Sequence, residues 1–230
     1  MVKFVGMATR VWAPSKRVAG QWTTVSRHNT MKFIIINGTL KPSTESNTSV
    51  VCEMVKLGFE KLSHECEIVN TAELNYKNST QDEDDDLRPV IHRMIQPDMA
   101  GIIIATPIWW GMFSSHTQAL IERLDYIDTW SIDGNDYKPM FGKVFGSIVS
   151  GGVDGWQHIT GTLASFASNL ALTTPPLCNI ESEAQGRDEI LQDSETIGMV
   201  KSLVNNMIVW AEAMKKGDVA KRARHKGNVE

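Results

Sequence analysis

The chain has 230 residues, of which 42% are hydrophobic and 22% charged, and its formal net charge at pH 7 is −4. These values are typical of one large globular domain with short additions. The slight acidity provides no general attraction to nucleic acid, and no apolar run approaches the ~20 residues that a membrane span requires. We therefore expect neither a nucleic-acid partner nor a membrane span.

Both ends of the chain differ in charge from its middle. Residues 1–30 are basic and contain no acidic side chain, which is typical of a targeting segment. An upstream start before Met31, or a surface arm in which Trp12 and Trp22 pack on the domain, would explain the segment equally well. Residues 215–230 are basic again and predict a solvated tail. The folded domain is expected at residues 31–214.

The three cysteines, Cys52, Cys66 and Cys178, are widely separated, and none lies in a C-x-x-C pair. This spacing argues against a zinc site, an iron–sulfur cluster or a disulfide framework. We expect three buried free thiols in a reducing compartment, and hence a cytoplasmic protein.

Apolar segments alternate along the chain between a strand pattern and a helix pattern from residue 31 onward. Strands are predicted at residues 31–37, 65–69, 101–105, 143–150 and 170–174. Helices are predicted at residues 48–63, 87–96, 116–125, 158–169 and 193–214. Strands separated by helices indicate βαβ units and a parallel sheet.

The strand at residues 101–105 (GIIIA) is apolar on both faces, as in a sheet that helices cover on both sides. Five such strands predict an α/β fold, a flavodoxin-like doubly wound five-stranded parallel sheet with helices on both faces. Ligands of these sheets bind beyond the carboxyl ends of the strands. The loops after the strands are therefore the candidate sites.

The first strand runs into residues 38–49, a loop rich in hydroxyl groups that opens onto a helix. Free N–H groups and the positive end of the helix dipole both favour an anion here. The loop has neither the Gly-Lys-Ser/Thr end of a P-loop nor a G-x-G-x-x-G motif. It therefore predicts a site for a phosphate monoester held by hydroxyls and amides without metal. The alternative is a helix cap that binds nothing.

Two further loops follow the third and fourth strands. Residues 106–115 combine Pro107 with the paired Trp109 and Trp110 and with Gly111, which suits aromatic walls around a flat ring and a close backbone approach. Tryptophans that pack in the core or at a subunit contact are the alternative. Residues 150–155 are rich in glycine and lie at the same edge. Three such loops on one rim fit a mononucleotide with a large flat ring, and FMN meets that description.

These motifs resemble those of the NADPH-dependent FMN reductase superfamily, the flavodoxin-like NAD(P)H oxidoreductases that include multimeric flavodoxins and iron–sulfur flavoproteins. The family's Gly-Ser-x-Arg loop, which runs to Asn-Thr, resembles GTLK at 38–41 followed by SNT at 46–48. Its Ser-Pro-x-Tyr-Trp-Gly element, with a helix that ends in Asp-Arg, resembles TPIWWG at 106–111 and ER at 122–123. Its Gly-Gly turn matches residues 151–152. The resemblance covers about residues 31–212.

The chain departs from the family pattern at three positions. Trp109 stands where a tyrosine is usual, Gln118 where lysine is frequent, and Lys41 in place of the arginine. The cysteine cluster of the iron–sulfur branch is absent, so the resemblance does not imply that cofactor.

The resemblance implies three groups of FMN contacts. The phosphate would be held by polar residues of the first loop, namely Thr39, Lys41, Ser46, Asn47 and Thr48. The ribityl chain and the ring would contact the second loop through Pro107, Ile108, Trp109, Trp110, Gly111 and Met112. The polar edge of the ring would receive amides from Gly151 and Gly152.

Since a flavin carries its own redox chemistry, no catalytic acid or base and no metal ligand is expected. We expect His116 and His158 to be structural and the acidic residues 82–86 to form a solvated loop and helix start.

The resemblance implies an FMN-dependent NAD(P)H oxidoreductase that passes hydride from nicotinamide to bound flavin and on to a quinone, free flavin or other small electron acceptor. NAD(P)H would be a co-substrate, and a homo-oligomer, a dimer or a tetramer, is expected. One alternative is a non-enzymatic flavodoxin-type electron carrier. Another is a binding module that has lost its cofactor.

Overall fold

Strand β1 (Lys32–Asn37) is buried along all but its first residue, which places it inside the sheet. The computed structural model describes residues 30–128 and 139–218. The other strands are β2 (Glu65–Asn70), β3 (Met99–Trp109), β4 (Met112–Phe113), β5 (Val144–Ser150) and β6 (Asn179–Ser182). Five of them run parallel in the order β2-β1-β3-β5-β6, and the two-residue β4 pairs antiparallel with β3. The predicted five-stranded parallel sheet is confirmed.

Helices cover both faces of this sheet, because successive side chains of the buried strands point to opposite faces and are apolar on both. The helices are α1 (Asn47–Lys61), α2 (Leu87–Met94), α3 (Ser115–Arg123), α4 (Asp125–Asp128), α5 (Trp156–Asn169), α6 (Arg187–Gln192) and α7 (Ser194–Lys216). Helices α1 and α7 share one core cluster with Phe33 and Ile35, whereas α2, α3 and α5 share the other with Ile34 and Ile36.

The fifth parallel strand lies at Asn179–Ser182, so its predicted position at residues 170–174 was wrong. Ala171 adopts a positive φ of 61°, which ends α5 and breaks the extended run. Only Thr173 then contacts the sheet, as an isolated bridge to Val144. Pro175 and Pro176 have no N–H to give to a ladder, so regular pairing resumes only after them.

Among the smaller differences from the predicted boundaries, two concern the residues at which β3 and α7 end. Strand β3 continues through Trp109, because Pro107 still pairs with Ser150 of β5 and the residues after it pair with β4. Helix α7 continues to Lys216, so Lys215 and Lys216 belong to the fold rather than to the tail. The predictions for residues 1–29 and 219–230 lie outside the described residues. Within the described ranges, no helix has the length and apolar character to cross a membrane.

Lys143 is a buried cation at the start of β5, on the amino side of the sheet. Its Nζ donates hydrogen bonds to the carbonyl oxygens of Gln96 (2.6 Å) and Met99 (3.1 Å), which hold the turn between α2 and β3. Burial lowers the pKa of Lys143 to about 8, although the negative charge of Asp98 opposes the shift.

We expect the stability of the native protein to rise between pH 8 and 10.5 relative to a Lys143→Met variant. The unfolded lysine keeps its ordinary pKa, so the unfolded chain binds more protons in this interval and the free energy of unfolding increases with pH. Across this interval, the free energy of unfolding of the native protein should rise by at most about 3 kcal/mol relative to that of the variant. Urea unfolding of both proteins at a series of pH values measures this rise. Free energies of unfolding that change in parallel with pH would contradict the prediction.

Candidate functional site

A cavity of about 140 Å³ opens where β1, β3 and β5 end, the edge at which the sequence predicts a ligand. It is lined by nine of the predicted contacts, namely Thr39, Lys41, Ser46, Asn47, Thr48, Pro107, Ile108, Trp109 and Gly151. The other predicted contacts, Trp110, Gly111, Met112 and Gly152, lie outside its wall. The three predicted loops therefore meet at one place, although the first and the third are more than 100 residues apart in sequence.

The first loop turns sharply at Gly38, whose N–H donates to the carbonyl of Ala105 on the neighbouring strand (2.8 Å). A Cβ at Gly38 would lie 2.0 Å from the Thr117 hydroxyl oxygen, so only glycine fits this turn. Close packing against β3 and α3 thus fixes the direction in which the loop leaves the sheet.

Two hydroxyls of this loop are held in place as hydrogen-bond acceptors. Ser46 caps α1 by accepting the N–H of Ser49 (3.2 Å), and Thr39 accepts the N–H of Lys41 (3.3 Å). Each hydroxyl can still donate its own hydrogen to an anion. The first N–H groups of α1 and the exposed Lys41 add positive potential at the same wall.

The other two predicted phosphate contacts have side chains that join the loop to its surroundings. The Thr48 hydroxyl hydrogen-bonds the Ser150 hydroxyl at the end of β5 (2.6 Å). The Asn47 amide donates to Gln185 (2.7 Å) and accepts the N–H of Gly186 (3.0 Å), both in the loop after β6. Asn47 therefore holds the loop after β6 beside the cavity.

The paired tryptophans belong to a hairpin between β3 and β4. Trp109 pairs with Met112, and the two residues between them, Trp110 and Gly111, have φ values of 52° and 74°. Two left-handed residues are typical of a type I′ turn, which favours Asn-Gly. Trp110 is 97% exposed, so packing of its side chain within the described chain does not offset the cost of its left-handed backbone conformation. Such strain in an exposed aromatic residue indicates a functional contact.

We expect a Trp110→Asn variant to be more stable than the native protein by about 1 kcal/mol, because asparagine tolerates the left-handed conformation and little packing is removed. Urea unfolding measures the change. Trp110→Leu, which keeps the backbone cost, is the control and should change the free energy of unfolding little. Equal effects of the two substitutions would contradict the explanation.

The third loop supports this hairpin from the other side. Gly155, at the start of α5, packs so closely that a Cβ there would lie 2.3 Å from the carbonyl oxygen of Gly111. Gly151 lies against Ile108 in the same way, with a Cβ distance of 3.1 Å. The glycines of residues 150–155 thus let two loops approach each other at the mouth of the cavity.

Three residues of the cavity wall, Leu40, Ser150 and Gln185, were not among the predicted contacts. Leu40 and Ser150 lie inside the predicted loops at residues 38–49 and 150–155, but they were not named as contacts. Gln185 follows β6, a strand whose position was predicted wrongly, and no local signal marks it.

His116 lies at the start of α3, and its Nδ1 hydrogen-bonds the Tyr76 hydroxyl. Burial lowers the pKa of His116 and raises the pKa of Tyr76. Both groups are therefore neutral near pH 7, and neither lines the cavity. Within the described ranges, no group of His, Cys, Asp and Glu side chains is arranged to hold a metal ion.

The strand order β2-β1-β3-β5-β6 and a cavity beyond the ends of β1, β3 and β5 define a flavodoxin-like protein. The model of the family described as NADPH-dependent FMN reductase matches residues 31–184. This match covers most of the chain, and the chain therefore belongs to the NADPH-dependent FMN reductase family. The predicted family is confirmed, and with it FMN as the cofactor and NAD(P)H as the electron donor.

Individual relatives agree with this assignment. The chain is 26% identical over 160 residues to the 8-demethyl-8-aminoriboflavin-5'-phosphate synthase of Streptomyces davaonensis, a match over 64% of this chain and 61% of the relative. It is 25% identical over 208 residues to an iron–sulfur flavoprotein of Archaeoglobus fulgidus, over 80% and 98% of the two chains. The crystal structure of RosB with bound 8-demethyl-8-formylriboflavin-5'-phosphate superposes with a TM-score of 0.73 at 21% identity, over 87% and 89% of the chains.

Proposed function

We propose that the protein is an NAD(P)H-dependent flavin or quinone reductase that delivers electrons to a quinone, free flavin or other small acceptor. The observation that carries the proposal is that a loop suited to an anion and the half-exposed Trp109 line one cavity, with the exposed Trp110 in the adjoining hairpin turn. The acceptor and the residue roles below are part of the proposal.

The cavity suits the phosphate end of FMN. Ser46, Thr39 and the first N–H groups of α1 supply donors, and Lys41 supplies a positive charge. The volume of about 140 Å³ is below the ~300 Å³ at which complete small-molecule sites begin. The remainder of a flavin would therefore extend from the cavity across the apolar rim.

That rim is built from exposed apolar side chains around the mouth, namely Leu40, Trp109, Trp110, Met112 and Val153. Aromatic and thioether groups favour a flat ring and exclude water from its face. Gly151 keeps the backbone after β5 close to Ile108, and Gly152 follows it in the same loop. When bound, FMN supplies the electron-transfer chemistry between NAD(P)H and the acceptor. The role of the chain is to bind and orient the reactants, and none of its described side chains is assigned as an acid or base.

Spectroscopy and turnover test the proposal. The purified protein should show an oxidised-flavin absorbance spectrum, or acquire it with added FMN, and should oxidise NADPH or NADH only when a quinone or free flavin is present. A protein that binds FMN but shows no turnover with any acceptor would favour the electron-carrier alternative. A protein that stays colourless with excess FMN would exclude both.

The phosphate contact is tested by Ser46→Ala, which should weaken FMN binding about tenfold by removing a donor to a charged group. The substitution also removes a helix cap. Asp193→Ala is the matched control, because Asp193 caps α7 by accepting the N–H of Thr196 (2.9 Å) and does not line the cavity. Unchanged flavin affinity in Ser46→Ala would show that the assignment of the loop is wrong.

The likeness to 8-demethyl-8-aminoriboflavin-5'-phosphate synthase supports a second candidate, in which the bound flavin phosphate is itself modified. Mass spectrometry of the flavin recovered after incubation with air and an amine donor, either ammonium or a mixture of amino acids, with and without NAD(P)H, distinguishes the two candidates. Unmodified FMN after many turnovers favours the reductase, whereas a derivative favours the second candidate.

The exposed rim also supports the prediction of a homo-oligomer, because a second copy would cover apolar surface beside the cavity. Light scattering after size-exclusion chromatography gives the oligomeric state. The cytoplasmic location stays a prediction from the cysteine pattern.

A further inference from the structure

Asn37 is the last residue of β1 and is fully buried, which is unusual for a side chain that carries four hydrogen-bonding positions. Its amide nitrogen donates to the Ser49 hydroxyl (2.8 Å) and to the amide oxygen of Asn70 (2.9 Å). Its own amide oxygen accepts the backbone N–H of Thr39 (3.2 Å). The side chain is thus almost fully engaged.

These bonds join four parts of the fold. Ser49 is in the first turn of α1, Asn70 ends β2, and Thr39 begins the phosphate loop. The Thr71 hydroxyl donates to the backbone carbonyl of Asn37 (3.1 Å), which holds the same point from the end of β2. Only a carboxamide supplies two donors and an acceptor in this space, because a carboxylate only accepts and a hydroxyl has one hydrogen.

The proposed phosphate site has two parts, the loop around Thr39 and the start of α1, and both depend on the Asn37 amide. The bond from Thr39 to Asn37 is an Asx turn, and the Thr39 hydroxyl in turn accepts the N–H of Lys41. On the other side, Asn37 holds Ser49, whose own N–H is bonded to Ser46. The loop donors and the start of α1 are therefore aligned to each other by one buried side chain that does not line the cavity.

We propose that Asn37 is a positioning residue that gives the site its selectivity for the phosphorylated flavin over riboflavin. The inference rests on the proposed role of the loop in holding the FMN phosphate. In this proposal, the preference for FMN depends on the hydrogen-bond donors of the loop and of α1, and also on Asn37, which aligns them.

The test compares FMN and riboflavin, which differ only in the phosphate. Titration of flavin-free protein, followed by flavin fluorescence, should show that Asn37→Ala weakens FMN binding about tenfold and changes riboflavin binding by less than about twofold. Ser49→Ala removes one partner of the amide and leaves its bond to Thr39, so the same selective loss should be smaller. This second variant provides the test if Asn37→Ala does not fold.

Ser147→Ala is the matched control, since it removes a partly buried hydrogen bond of similar length, from Ser147 to Asn179 (2.8 Å), elsewhere in the sheet. It should leave the ratio of the two affinities unchanged. Equal weakening of FMN and riboflavin by the Asn37 and Ser49 variants, or an unchanged ratio, would overturn the proposal. A native protein that binds no FMN would instead refute the proposed function.

Discussion

Replacing Arg123 by methionine is expected to reduce the free energy of unfolding by about 3–5 kcal/mol, because the substitution leaves a buried carboxylate without its counter-ion. The side chains of Arg123 and Asp85 are only 1% and 7% exposed, and both terminal nitrogens of Arg123 donate to Asp85. Asp85 also accepts the N–H groups of Lys77 (2.9 Å) and Leu87 (3.1 Å). The pair therefore fastens the loop before α2 to the end of α3.

Arg93→Met is the matched control, since Arg93 makes a similar two-pronged contact with Glu67 at the surface, where the side chains are 43% and 47% exposed. Exposed pairs contribute at most about 1 kcal/mol. Chemical denaturation at pH 7 of both variants gives the comparison. Losses of equal size would contradict the importance of burial.

The pH dependence of the Arg123 effect provides a second check. Burial alone would raise the pKa of Asp85, but the N–H groups and Arg123 outweigh burial and lower it. The native pair therefore contributes stability above the ordinary pKa of 3.8 and loses that stability as the pH falls through the lowered value. Without Arg123, the part of the lowering that Arg123 causes is lost, so the pKa of Asp85 should be higher in the variant than in the native protein. The difference in the free energy of unfolding between native protein and variant should then narrow as the pH falls through the interval between the two pKa values.

Local sequence signals predicted the sheet and most of the cavity. The strand at residues 101–105 and the glycine turn after β1 are recognised from a few neighbouring residues, because apolar runs and turn residues act locally. The order of the strands then brings loops that are distant in sequence to one edge. Thr39, Ser46, Trp109 and Gly151 could be assigned to one cavity for this reason.

Contacts between distant positions could not be predicted. Asp85 belongs to an acidic run expected to be solvated, but Arg123, 38 residues later, draws it into the interior. Asn47 meets Gln185 only because β6 begins after the two prolines, and the two residues of this pair are 138 positions apart. No local pattern distinguishes these side chains from solvated ones. The partners of these side chains depend on the positions of the strands in the folded sheet.

Replacing Gly155 by alanine is expected to have the second large effect, because it strains the backbone and displaces the tryptophan hairpin. Gly155 has a φ of 92°, a conformation that costs alanine about 1–2 kcal/mol. In addition, the new Cβ would lie 2.3 Å from the carbonyl oxygen and 2.5 Å from the Cα of Gly111. Both are backbone atoms, so no side chain can move aside, and overpacking of this kind adds about 1–3 kcal/mol.

Gly111→Ala separates the two contributions. Gly111 has a positive φ of 74° in the hairpin turn, but no atom lies within 4 Å of its added Cβ, so this variant should show only the backbone cost. Urea unfolding should therefore give a larger loss for Gly155→Ala than for Gly111→Ala. If the two losses are equal, Gly155 does not support the hairpin by close packing.

The hairpin carries Trp109, so its displacement should also be visible in flavin binding. A shift of the hairpin away from α5 moves Trp109 relative to the cavity that it lines, whereas the phosphate loop on β1 stays in place. We expect Gly155→Ala to weaken riboflavin and FMN by the same factor, about tenfold, because Trp109 would pack against the ring, which both flavins share. Asn37→Ala should affect FMN alone. Fluorescence titration of the two variants with both flavins tests whether ring and phosphate are held by separate parts of this site, and a selective loss of FMN in Gly155→Ala would contradict that division.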